Sequence, residues 1–250
     1  MTTPARVLKA AGVGLVVVLA LVMILAALRT DLPRNPGVMS DALGPENSEP
    51  IDDYLARAAD SLVGGDGDDD DEFATDPDAP RWALVSAERA WSVAEASGAV
   101  QGLPRVSGLY VQVPVDGVAM PVTGATLAEP VAGETGRDQV FDRGLEQVAG
   151  RLDGEPQSGA DVPDPPDPDR AAAVNALTVS RIQGGEPAII GLLARGTTEQ
   201  LRALADQPRV RAVEALPPDA VWQRFAVRPL QPQQLDAAYP LPDDAPVPNR

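Results

Sequence analysis

The sequence predicts an α+β fold, and three observations carry that expectation. Two segments, 81–114 and 188–216, repeat one grammar: an apolar strand, a capped helix, the tripeptide Pro-Arg-Val and a second strand. Apolar residues alternate along the strands and recur every three or four residues along the helices. Both segments lie between stretches rich in Pro, Gly and Asp, which bound the folded region at 81 and 230. Two strand-helix-strand units in one small domain point to a ferredoxin-like split βαβ sandwich, with helices stacked on one face of a four-stranded sheet. A helical, Pro-rich insertion separates the units, and one transmembrane helix is expected ahead of them.

That helix is read from Ala10 to Leu28, an unbroken run of 19 apolar residues. At 1.5 Å per residue it is long enough for the ~30 Å hydrocarbon core. A cleaved signal peptide has an apolar core of ~7–15 residues before a small-x-small site. Leu25-Ala26-Ala27-Leu28 makes a poor site of that kind, so an uncleaved signal anchor is expected. Arg6 and Lys9 precede the run, and Arg29 and Arg34 follow it. With the α-amino group added, the balance favours a cytoplasmic N-terminus, residues 1–9, and a C-terminal domain outside the cytoplasm.

Residues 29–80 read as a stalk, with Pro33, Pro36, Gly37, Gly44 and Pro45 as turn formers. Within it, Ile51, Leu55, Ala58 and Leu62 keep the spacing of a short amphipathic helix. Asp66 to Glu72 is an acidic run. A calcium loop counted from Asp66 needs Gly at its sixth position and Glu at its twelfth, where Asp71 and Pro77 stand. A solvated, self-repelling linker is the expected structure.

In the first unit, Trp82 to Arg89 forms a strand. Ser92 and Glu95 then make a capping box for a helix carrying Val93, Ala96, Val100 and Leu103. The strand Val106 to Pro114 follows, with Leu109, Val111 and Val113 alternating against Tyr110 and Gln112. In the insertion, Phe141, Leu145, Val148 and Leu152 keep a helical period, with Thr135 and Asp138 near its start. Prolines 163, 165, 166 and 168 make Glu155 to Asp169 an extended loop. Asp167 and Pro168 open another helix through Ile182, with Val174 and Leu177 towards the sheet. The second unit has a strand from Ala188 to Arg195, a cap at Thr197 with Gln200, a stripe of Leu201, Leu204 and Ala205, and a strand from Val210 to Leu216. Superposing the two Pro-Arg-Val tripeptides places Glu95 on Glu199. Leu84, Val111, Ile190, Leu192 and Val213 are the expected sheet core. Trp222 to Leu230 adds a further strand, and 231–250 is expected to be a disordered Pro/Asp-rich tail.

Gly196-Thr197-Thr198-Glu199-Gln200-Leu201-Arg202-Ala203-Leu204, followed by Pro208-Arg209-Val210-Arg211-Ala212-Val213-Glu214, resembles the closing half of the inhibitory propeptide of subtilisin-like proteases. The resemblance implies a ferredoxin-like fold and an inhibitor or chaperone role. It covers about thirty residues, and a Pro-rich tail stands where such a propeptide is cleaved. The whole chain also resembles uncharacterised single-pass membrane proteins of actinobacteria, with Glu46 to Leu62 and Phe225 to Pro248 contributing. That resemblance implies a location and no activity.

Composition narrows the function classes. A net charge of −17 repels nucleic acid and anionic headgroups. With no histidine and no cysteine there is no Ser-His-Asp triad, thiolate nucleophile, or imidazole or thiolate zinc site. Lys9, the only lysine, lies beside the apolar run, so a Ser-Lys pair is excluded from the folded part. Glu88, Glu95, Glu199 and Glu214 fall at helix starts or strand ends, where capping and solvation explain them. Gly64-Gly65 and Gly184-Gly185 lack the Lys-Ser/Thr of a phosphate cradle. Trp82, Trp91, Tyr110 and Trp222 are candidate binding anchors, and closing a small core is the simpler role for them. No catalytic, cofactor-binding or metal residue is therefore assigned, and no cofactor is expected. The expected function is a membrane-anchored extracytoplasmic interaction module without enzymatic activity, binding an unidentified envelope protein. The alternative is a propeptide-like inhibitor or chaperone of a subtilisin-like protease acting in trans, and an enzyme using carboxylates alone is a third.

Overall fold

The computed structural model describes residues 41–63, 79–128, 136–154 and 167–249. The expected membrane helix, the acidic run and most of the Pro-rich loop lie outside the described residues. Among those described, no helix is long and apolar enough to cross a membrane.

The chain order is β1 (Asp41–Leu43), α1 (Ile51–Leu62), β2 (Arg81–Trp91), α2 (Val93–Ala99), β3 (Arg105–Val111), β4 (Thr123–Thr126), α3 (Arg137–Asp153), α4 (Pro168–Gln183), β5 (Ile189–Gly196), α5 (Thr198–Ala205), β6 (Val210–Ala215) and β7 (Phe225–Val227). The main sheet has five strands in the order β4-β3-β5-β2-β6, each pair antiparallel. A second, two-stranded sheet pairs β1 with β7 in parallel.

These facts correct the expected fold class. Among the described residues the four-stranded ferredoxin-like sandwich is replaced by an α+β fold with mixed sheets, and no helix of theirs is a membrane span. The insertion supplies β4, which pairs with β3, so the sheet gains an edge strand. The nominal stalk supplies β1, which pairs with β7. Short strands such as Thr123-Gly124-Ala125-Thr126 carry too few apolar residues to announce themselves. Their pairing is decided by what they lie against.

Side chains of β2 divide between the two faces, as strand geometry requires. Ala83, Val85 and Ala87 join the large core built with α2, α3, α4 and α5. Trp82 and Leu84 join a second cluster on the opposite face with Leu43, Leu193, Leu216 and Phe225. Burial on both sides explains why β2 and β5 read as near-continuous apolar runs. Both small helices start at complete capping boxes, Ser92 with Glu95 and Thr197 with Gln200. The caps align at an offset of 105, so Glu95 matches Gln200. The Pro-Arg-Val superposition, at 104, had set it against Glu199.

The other face is covered in part. Helix α1 buries Ile51, Tyr54, Ala58 and Leu62. Tyr54 takes the place expected of Leu55, which is only partly buried. Residues 231–249, expected to be a disordered tail, are held along their length. Ala238 joins this cover, its N–H donating to Glu49 O at 2.8 Å. Ala245 instead packs against the large core, its N–H donating to Gly117 O at 2.9 Å, and Asp243 pairs with Arg170 of α4. Few apolar residues are needed there, because main-chain bonds hold the segment.

Candidate functional site

Two charged constellations lie on the outer face of the main sheet. The first surrounds Glu214, a β6 residue that is 4% exposed. Its carboxylate accepts from Gly44 N–H at 2.5 Å and pairs with Arg57 of α1. Arg57 also donates to Glu49 at 2.9 and 3.2 Å, and to Gly44 O at 3.3 Å. Gly44 has φ +101°, and a Cβ there would overlap the Arg228 carbonyl, so only glycine presents its N–H this way. Burial raises the Glu214 pKa, against the opposing pull of the Gly44 hydrogen bond and the Arg57 charge. Burial, then the neighbouring Glu214 charge, pushes the Tyr54 hydroxyl up as well. The cluster fastens β1 and α1 to β6. The sequence placed Glu214 at a solvated strand end; the structure buries it, because α1 covers that end.

The second constellation lies towards the other side of the sheet. Cross-strand register sets Arg105 of β3 opposite Arg195 of β5, and Arg195 opposite Trp82 of β2. Each guanidinium centres 5.5 Å from the Trp82 ring. Trp222 stacks on Trp82 at 4.6 Å and 29°, and Phe225 sits 6.2 Å from Trp82. Arg105 Nε donates to Ser107 Oγ at 2.8 Å, and Arg195 Nε donates to Pro80 O at 3.3 Å. Among the described residues no carboxylate forms an ion pair with either arginine.

A groove of about 260 Å³ adjoins this row, lined by Gly108, Tyr110, Gly124, Thr126, Leu193 and Trp222. Tyr110 is half-buried, and burial pushes its pKa up to about 12. The groove ends at β4, the outer strand of the sheet. Leu127 N–H donates to Ser107 O, so in alternating antiparallel pairing Gly124 and Thr126 turn their polar groups away from β3. Arg151 takes the Gly124 carbonyl at 2.7 Å. The Gly124 N–H and both main-chain groups of Thr126 face outward at the strand edge.

The aromatic candidates therefore divide. Trp82 and Trp91 are buried, while Trp222 and Tyr110 are half-buried beside the groove. Glu95 accepts from the Ser92 N–H and pairs with Arg89 and Arg209. Those bonds, the Ser92 N–H first, bring its pKa down to about 2. Glu88 and Glu199 are exposed. The structure brings none of these carboxylates together as a catalytic pair. Arg105 and Arg195 were missed in the sequence, where Arg105 served only as the middle of a strand-opening tripeptide. The signal for them is the register between two strands about ninety residues apart, which neither strand reveals alone.

Chemically, the arginine row offers donors to an anion, the aromatics offer an apolar floor, and the β4 edge offers main-chain groups to an extended chain. No protein-family model, curated protein or solved structure matches this chain.

Proposed function

We propose that the chain is a non-enzymatic protein-interaction module of the cell envelope, binding its partner at the open part of its outer sheet face. The observation that carries this reading is the Arg105–Arg195–Trp82 row beside the outward-facing edge of β4. Aromatic and arginine side chains dominate interface hot spots, and an open strand edge accepts an extended segment through main-chain hydrogen bonds. A sequence without histidine or cysteine favours holding a partner over transforming a substrate.

Site-specific photo-crosslinking in intact cells tests the proposal. A photoreactive residue at exposed Thr126 should trap one recurrent envelope protein, and one at exposed Asp53 on α1 should not. Equal capture at both positions, or none at Thr126, sinks the reading. A serine protease trapped at Thr126 would instead support the inhibitor alternative. The location has its own test: alkaline phosphatase fused after Arg250 should be active, and an inactive fusion would place the domain in the cytoplasm.

A further inference from the structure

We infer that the partner segment is an extended acidic peptide, one carboxylate held by Arg105 and Arg195 and a neighbouring apolar side chain packed over Leu193 between Tyr110 and Trp222. The inference rests on the open sheet face being the binding surface.

Charge is the first argument. Like charges directly opposite on neighbouring strands destabilise a sheet, yet Arg105 and Arg195 stand in register on one face. The Trp82 ring offsets part of that repulsion through cation–π contact. An anion between the two guanidiniums would remove the rest. In a chain with 37 acidic residues against 20 basic ones, neither arginine is given a carboxylate among the described residues.

Preorganisation is the second. Each guanidinium is fixed by one protein oxygen at Nε, Ser107 Oγ for Arg105 and Pro80 O for Arg195. Among the described residues, the terminal nitrogens of both carry no hydrogen bond. Those are the donors with which arginine grips a carboxylate.

The third argument chooses a peptide over other anions. Leu193 lies two residues before Arg195 on the same face of β5, and Trp222 both stacks on Trp82 and lines the groove. An apolar floor next to an anion site fits alternating acidic and apolar side chains along an extended chain. The outward groups of Gly124 and Thr126 suit the main chain of the same segment. The net charge of −17 repels nucleic acid and anionic membranes at long range, whereas a short acidic segment meets the local cationic row.

The test uses the full-length chain and a fluorescent octapeptide of alternating glutamate and valine, read by anisotropy at low ionic strength. The glutamate–valine peptide should bind about tenfold or more tighter than its glutamine–valine counterpart. R105Q/R195Q should weaken it by about the same factor, and R105K/R195K should recover only part, because lysine keeps the charge and loses the fork. A thermal melt establishes that each variant is folded. Equal binding of both peptides, or undiminished binding by folded R105Q/R195Q, overturns the inference. Displacement by inorganic phosphate well below the peptide concentration would also overturn it, assigning the arginines to a phosphate. If the glutamine–valine peptide binds equally well and folded T126P loses it, only the acidic preference falls and the interaction surface stands. If no peptide binds and Thr126 traps nothing in cells, the interaction reading falls too.

Discussion

Glu214 and Arg105 project from one face of one sheet, with β5 and β2 between their strands, and their charges are handled in opposite ways. Glu214 is buried, and both a cation and a backbone N–H meet it. Arg105 is exposed beside a second arginine, and among the described residues neither has an ion-pair partner. A buried charge lacking a partner is destabilising, so Arg57 and Gly44 serve the structure. A cation pair of which one member is exposed and the other only partly buried carries a small stability cost, so the fold tolerates it and leaves it to a ligand. The covered half of the face is thus read as architecture and the open half as a binding surface.

The largest effect should come from the covered half. Leu84 is fully buried there, and Leu84→Ala should cost ~2–5 kcal/mol in denaturant melts of the full-length chain. Tyr110→Ala, in the open half, should cost less, ~1–2 kcal/mol, because its ring is only partly buried. Equal losses would erase the distinction between the halves.

Removing the cation from the Glu214 cluster should rank next. Arg57→Met should lose about 2 kcal/mol at neutral pH, less than a fully buried pair because the Arg57 side chain is 42% exposed. Most of that loss should return in Arg57→Met with Glu214→Leu, which leaves no uncompensated charge. The single variant should also recover on acidification. Burial already raises the folded-state pKa of Glu214, and losing Arg57 raises it further. Between the unfolded value and the raised folded value, the folded chain binds the extra proton, so stability rises as pH falls through that window. A flat or falling profile would show that the cluster is not the buried pair described.

Glu95 should show the opposite sign. Its folded pKa of about 2 lies below the ordinary value of 4.5, so its contribution is complete above about 4.5 and is lost as pH falls towards 2. Glu95→Gln keeps the capping box, as Gln200 does at the other helix. It should therefore cost only ~0.5 kcal/mol at neutral pH, from the lost charge beside Arg89, Arg209 and the helix start, and should remove that part of the acid dependence. An unchanged acid profile would mean the Glu95 charge contributes nothing.

Much of this architecture could be read from the chain because it is local. Ser92 with Glu95 and Thr197 with Gln200 are capping signals contained within four residues, and both helices begin there. Strands such as Ile189–Gly196 announce themselves because burial on both faces demands continuous apolar residues. What stayed hidden depends on partners distant in sequence. Asp41–Leu43 is a strand only because Phe225–Val227 lies beside it. Tyr54 is buried only because α1 docks on β6. Glu214 looked like a solvated strand end until α1 covered it. The arginine row was the least legible feature, since Arg105 and Arg195 meet only through the register of β3 against β5. A resemblance to protease propeptides spoke to capping and strand alternation, and it does not reach that row.

The smallest stability effect should be R105Q/R195Q, within ~0.5 kcal/mol of the parent, because relief of the cross-strand repulsion offsets the lost cation–π contacts. That near-silence in melts is what separates a binding surface from a structural one.

Amide hydrogen exchange of the full-length chain, with and without the glutamate–valine peptide, tests the division between the halves most directly. Slowed exchange at Gly124 and Thr126, with Tyr54 to Ala58 of α1 unchanged, is the predicted result. Protection confined to α1, or no change at the β4 edge, would contradict it.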